Sequence, residues 1–134
     1  KWEVLKPILE YVNLVLFDIK QIDPERHDQI TGVSNQPILE NAAKIVDVGV
    51  PLIVRVPLIP GCNDSEESMR ALAEFYLERG VKEVNISSYH KFGLKKYESL
   101  GMEYKLDNAE PYTEEEKERF AGLIRSYGLR VEVS

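Results

Sequence analysis

Four short apolar runs punctuate the chain, at Leu14 to Ile19, Leu52 to Ile59, Val81 to Ser87 and Leu129 to Val133. Each has the length of a strand. The first two are dense in Val, Leu and Ile with little alternation, the pattern of strands buried on both faces. Between the runs, apolar residues recur at helical spacing. Over Pro37 to Val48 the stripe is Ile38, Leu39, Ala42, Ile45 and Val46, opened by Ser34-Asn35-Gln36 and stopped at Gly49. Over Ser65 to Arg79 it is Met69, Leu72, Ala73, Tyr76 and Leu77, after Asn63-Asp64 and before Gly80. Over Glu114 to Tyr127, Thr113 and Glu116 have the spacing of a capping box and Gly128 is a stop signal. A shorter helical turn is expected from Asp23-Pro24 to Gly32. The opening residues put Trp2, Leu5, Ile8 and Leu9 on one helical face with no initiator Met, so the chain is expected to be a piece of a longer one.

The order strand, helix, strand, helix, strand, helix, strand predicts an α/β fold of about four parallel strands with flanking helices, joined by right-handed crossovers. Strand starts at 14, 52 and 81 imply a repeat of roughly 30 to 40 residues, the size of a βα unit. The least regular stretch, Ser88 to Tyr112, has the length of a loop that carries function.

Polar residues cluster where the strands end. Asp18 and Lys20 close the first run and, two apart, should share a face. Arg55 lies inside the second run, and His90 follows the third. Barrels and open α/β sheets place their active sites at the C-terminal ends of strands. A charge in a buried strand costs several kcal/mol unless paired, so a shared polar pocket is the simplest account of all three. Each residue has a plainer reading on its own. Asp18 with Lys20 fits an ordinary ion pair, Arg55 a structural arginine, and His90 an incidental loop residue. Their recurrence at equivalent strand ends is what argues for a site. Cys62, in Pro60-Gly61-Cys62-Asn63-Asp64, has no second Cys or His nearby and reads as a turn residue.

Composition narrows the classes. The 134 residues are 43% hydrophobic, enough for a single domain spanning 1–134. Seventeen basic against 23 acidic residues give a net charge of -6, and the one dense basic stretch is Lys91 with Lys95 and Lys96, so no nucleic-acid partner is expected. No apolar run approaches the roughly 20 residues of a membrane span, so no membrane partner is expected either. A single cysteine excludes an internal disulfide and fits a reducing, cytoplasmic compartment.

These residues also carry a resemblance. Leu16-Phe17-Asp18-Ile19-Lys20, then His27 and Thr31-Gly32-Val33-Ser34-Asn35, are similar to the middle of the activating enzymes that install a glycyl radical, such as that of pyruvate formate-lyase. Arg55-Val56-Pro57-Leu58-Ile59-Pro60-Gly61 with Asn63-Asp64 resembles the next strand and loop. Tyr89-His90-Lys91-Phe92-Gly93, with Lys96-Tyr97-Glu98, Leu100-Gly101 and Glu103-Tyr104, is the most distinctive block. The matches run in order over nearly the whole chain. The resemblance implies the C-terminal half of a radical S-adenosylmethionine partial (β/α) TIM barrel. It implies S-adenosylmethionine and a 4Fe–4S cluster as cofactors, with the cluster on a three-cysteine loop near the family's N-terminus. It implies a glycyl radical enzyme as protein substrate and a flavodoxin or ferredoxin as electron donor, in anaerobic metabolism. Asp18, Ile19, Lys20, Arg55 and His90 would bind the cofactor, Asp18 would also hold a monovalent cation, and no side chain of this chain would be catalytic in its own right. The chain departs from the pattern in having one cysteine, in the wrong place, so it should bind no cluster and be inactive alone. Two other readings stay open: a fragment of an aldolase barrel using Lys20 as a Schiff-base nucleophile, and a non-catalytic α/β interaction domain.

Overall fold

The strands form where the apolar runs predict, and helices fill the intervals between them. In the computed structural model, which describes residues 1–88, 98–101 and 110–134, the elements are α1 (Trp2–Leu9), β1 (Val15–Asp18), α2 (Pro24–Thr31), α3 (Gln36–Val48), β2 (Leu52–Leu58), α4 (Glu66–Glu78), β3 (Glu83–Ser88), α5 (Glu114–Arg125) and β4 (Arg130–Val133). The boundaries fall within two residues of the expected ones. Local chemistry sets them. The Asp23 carboxylate accepts from the Arg26 N–H at 2.8 Å, with Pro24 at the start of α2. Ser65 caps α4 by accepting from the Ser68 N–H. The capping box of α5 is complete: Thr113 N–H donates to Glu116 and Glu116 N–H to the Thr113 hydroxyl. Such caps contribute about 1 kcal/mol each. Helices α2 and α3 end at Gly32 and Gly49, whose φ of 74° and 83° few other residues adopt without strain.

The sheet is parallel throughout, in the order β1-β2-β3-β4. Helices cover one face of it. Val54, Val56, Leu58, Val84, Ile86 and Val131 point into a core completed by Ala42, Met69, Leu72, Ala73, Tyr76, Phe120, Ala121 and Ile124. The helix-facing positions alternate with a second set: Leu16 and Asp18, Ile53 and Arg55, Glu83 and Asn85, Arg130 and Glu132. Here the sequence expectation needs correcting. The first two strands are buried on one face, not two: Leu16 is 53% exposed and Arg55 is also exposed. Their unbroken Val/Leu/Ile content reflects a floor of Leu16 and Ile53 beneath the charged rim. Parallel sheets are ordinarily covered on both faces; among the described residues no helix covers this one. Among the described residues β1 and β4 are the edge strands of the sheet.

Candidate functional site: the uncovered sheet face

Register brings the charged residues together. Asp18 pairs with Arg55, Arg55 with Asn85, and Asn85 with Glu132, so one row of polar side chains crosses all four strands. The row below it is Leu16, Ile53, Glu83 and Arg130, with Arg130 donating to Glu83 at 3.4 Å. Arg55 Nε donates to Asp18 Oδ1 at 2.7 Å, and both side chains remain about half exposed (46% and 45%). The pair is therefore formed, oriented by the sheet, and open to solvent on the helix-free side.

Lys20 lies two residues past the end of β1 and is exposed. It shares with Asp18, Gln21, His27 and Asn35 the lining of a groove of about 170 Å³. The Ile19 side chain is buried in the core at 2% exposure, and its N–H donates to the Arg55 carbonyl. Of Ile19, then, only the backbone stands at the rim. His90 and the block Tyr89 to Gly93 lie outside the described residues. Cys62 is a free, half-buried thiol in the turn after β2, where its N–H donates to the Ile59 carbonyl. Burial first, and then the Asp64 charge, push this thiol above its ordinary value, the opposite of an activated cysteine. Among the described residues no three His, Cys, Asp or Glu side chains group as a metal site. No helix among them is long and apolar enough to cross a membrane.

Sequence reasoning missed the residues that build the rim. Gln21, Asn35 and Asn63 are almost fully buried (2%, 1% and 2% exposed). The Asn63 amide donates to the carbonyls of Lys20 and Pro57, both at 2.8 Å, while its oxygen accepts from Ile59 N–H. Asn35 precedes α3 but makes no side-chain cap; its amide turns inward to the carbonyls of Gln21 (3.1 Å) and Ile22 (2.7 Å). In the sequence these Asn residues were legible as helix-start signals and as members of the resembling blocks, not as supports of the rim. Across the rim, the Tyr112 hydroxyl donates to the Asp64 carboxylate, which also accepts from Gly61 N–H. Burial works to raise the Asp64 carboxyl, but the Tyr112 and backbone hydrogen bonds outweigh it and hold the group below its ordinary value. Burial, then the bond to Asp64, drive Tyr112 well above the usual tyrosine range.

Known proteins share this arrangement of strands. No protein-family profile matches the chain. It is 37% identical over 137 residues to the choline trimethylamine-lyase activating enzyme of Oleidesulfovibrio alaskensis, covering 99% of this chain and 44% of that protein. It is 36% identical over 129 residues to the pyruvate formate-lyase 1-activating enzyme of Escherichia coli K12, covering 96% and 52%. The crystal structure of a domain of pyruvate-formate lyase-activating enzyme from Bacteroides vulgatus superposes over 100% of this chain and 74% of that one, with a TM-score of 0.80 at 24% identity, which fixes the fold. The fold class is α/β, a sheet of four parallel strands flanked by helices. The chain belongs to the glycyl-radical-enzyme activating enzymes of the radical S-adenosylmethionine family, and it holds part of such a protein. It spans about half the length of the curated relatives it matches.

Proposed function

We propose that this chain is the C-terminal half of a glycyl-radical-enzyme activase, and that the rim of its uncovered sheet face holds one side of the S-adenosylmethionine pocket. The observation that carries the reading is the Asp18–Arg55 pair, set in register at the strand ends, with Lys20 lining the same groove as Asp18. The donor set suits the cofactor. Lys20 or Arg55 matches its carboxylate through charge-assisted hydrogen bonds. Asp18 matches its ammonium or a monovalent cation beside the carboxylate, the Ile19 backbone lies at the same strand end, and His90 would meet the ribose or adenine. Together with a reduced 4Fe–4S cluster, this cofactor supplies the radical that takes a hydrogen from a glycine of a glycyl radical enzyme. Residues of this chain bind and orient; none is needed as an acid or base.

The cluster itself does not fit this chain. Such clusters take several thiolates, and the single cysteine lies in the turn after β2. The ligands therefore belong to the rest of the protein, and a flavodoxin or ferredoxin would be the electron donor of the whole activase. Exposure of Lys20 weighs against the aldolase reading, which needs a nucleophilic lysine desolvated in an apolar pocket. Two measurements test the proposal. In the full-length protein, Asp18→Ala, Lys20→Ala and His90→Ala should each weaken S-adenosylmethionine binding by about 1.5–3 kcal/mol; unchanged affinity in all three would return them to a structural role. Anaerobic reconstitution of this chain alone should yield no stoichiometric cluster, and a stable one would overturn the assignment.

A further inference from the structure

The backbone after β1 is not held by the sheet. The β1–β2 ladder runs from Val15 N–H on the Pro51 carbonyl to Ile19 N–H on the Arg55 carbonyl. The next rung would carry the residue-57 N–H to the Ile19 carbonyl, and residue 57 is a proline with no N–H to give. The ladder stops there, one residue short of Lys20. From this point three buried carboxamides replace it. Asn63 ties the Lys20 carbonyl to the Pro57 carbonyl, both at 2.8 Å from one amide nitrogen. Asn35 ties the carbonyls of Gln21 and Ile22 to the start of α3. Gln21 turns its own oxygen back onto the N–H groups of Ile22 (2.8 Å) and Asp23 (3.1 Å), and its amide reaches the Cys62 carbonyl at 3.0 Å.

Fixing a carbonyl fixes the peptide plane and, with it, the direction in which the preceding side chain leaves the backbone. Lys20 is long, exposed and flexible, so its root must be aimed if its ammonium is to reach one spot. The core anchors the root from the other side through Ile19. This network also has an internal cost: Asn35 Oδ1 is buried with no hydrogen-bond partner among the described residues, while the Asn35 amide serves two carbonyls. The arrangement favours holding the 20–22 carbonyls over satisfying that oxygen.

We infer that Asn63, Asn35 and Gln21 are positioning residues for cofactor binding, acting through Lys20, with Pro57 ending the ladder so that they can. The inference rests on the proposed role of Lys20. The test is a double-mutant cycle in the full-length protein, read as the S-adenosylmethionine dissociation constant beside a thermal melt. Asn63→Ala should weaken binding roughly three- to tenfold. Added to Lys20→Ala, it should weaken binding no further. A purely structural Asn63 would lower the melting temperature and either leave affinity intact or add its full effect on top of Lys20→Ala; either result overturns the inference. If Asn63→Ala does not fold, Gln21→Met takes its place in the same cycle: loss of affinity that vanishes beside Lys20→Ala supports the positioning role, and intact or additive affinity overturns it. Lys20→Ala binding as tightly as the parent is a different failure: it removes the proposed role of Lys20 itself, and the inference with it.

Discussion

Replacing Arg55 with methionine separates a stabilising ion pair from a binding residue. The Asp18–Arg55 contact is short, at 2.7 Å, but both side chains are nearly half exposed. Ion pairs in such surroundings contribute about 0.2–1 kcal/mol. The unbranched methionine side chain would keep an apolar stem of similar reach on the face that Leu16 and Ile53 share with residue 55. Asp18, losing its partner, stays hydrated. For a chain of this size the melting temperature should then fall by at most about 5 °C. Binding should respond differently. A lost charge-assisted hydrogen bond to a carboxylate costs about 1.5–3 kcal/mol, or roughly 10- to 150-fold in affinity. Arg55→Lys should fall between the two, because it keeps the charge and loses the fork. The assays are a thermal melt of this chain and an S-adenosylmethionine titration of the full-length protein. A melt lowered by more than about 10 °C with affinity unchanged would refute the reasoning and make Arg55 a structural arginine.

Other perturbations follow from the buried polar groups. Tyr76 is fully buried and its hydroxyl has no partner among the described residues, while its ring packs edge-on to Phe75. Tyr76→Phe should therefore leave stability unchanged or raise it by up to about 1 kcal/mol in a denaturant titration, and a clear loss would mean that the hydroxyl is satisfied. The Tyr112–Asp64 bond has a defined pH window. Asp64 titrates lower in the folded state than in the unfolded, so its contribution is complete above about pH 4 and disappears as pH falls through the folded value. Tyr112 titrates higher in the folded state, so its contribution is complete below about pH 10 and is lost only as pH rises beyond that. Tyr112→Phe should accordingly destabilise the protein at neutral pH and converge with the parent in strongly acid solution; a pH-independent difference would contradict the assignment.

The particular elements show what a sequence can reveal and what it hides. Period-two alternation is a local property: with Phe17, Val54 and Val56 facing the core, Asp18 and Arg55 fall on the opposite face. Helix ends were equally plain at Thr113 with Glu116, since a capping box is a local object. The uncovered face was not plain. Leu16 and Ile53 carry the same letters whether a second layer covers them or solvent does. Nor was the role of Asn35 and Asn63. An asparagine before a helix looks like a cap, and only tertiary structure shows its amide turning inward to hold the chain beyond β1. The lost ladder rung at Pro57 was present in the sequence but needed the register to be seen.

The central claim is that this chain completes the cofactor pocket of an activase whose cluster resides elsewhere in the protein. It is tested most directly by mixing the purified chain with a separately produced, cluster-bearing N-terminal half under anaerobic, reducing conditions and measuring 5′-deoxyadenosine. The account predicts that neither piece alone releases it, that the mixture does, and that a mixture made with the Lys20→Ala chain releases far less. Release by the cluster-bearing half that this chain does not change, or equal release with the Lys20→Ala chain, would contradict it.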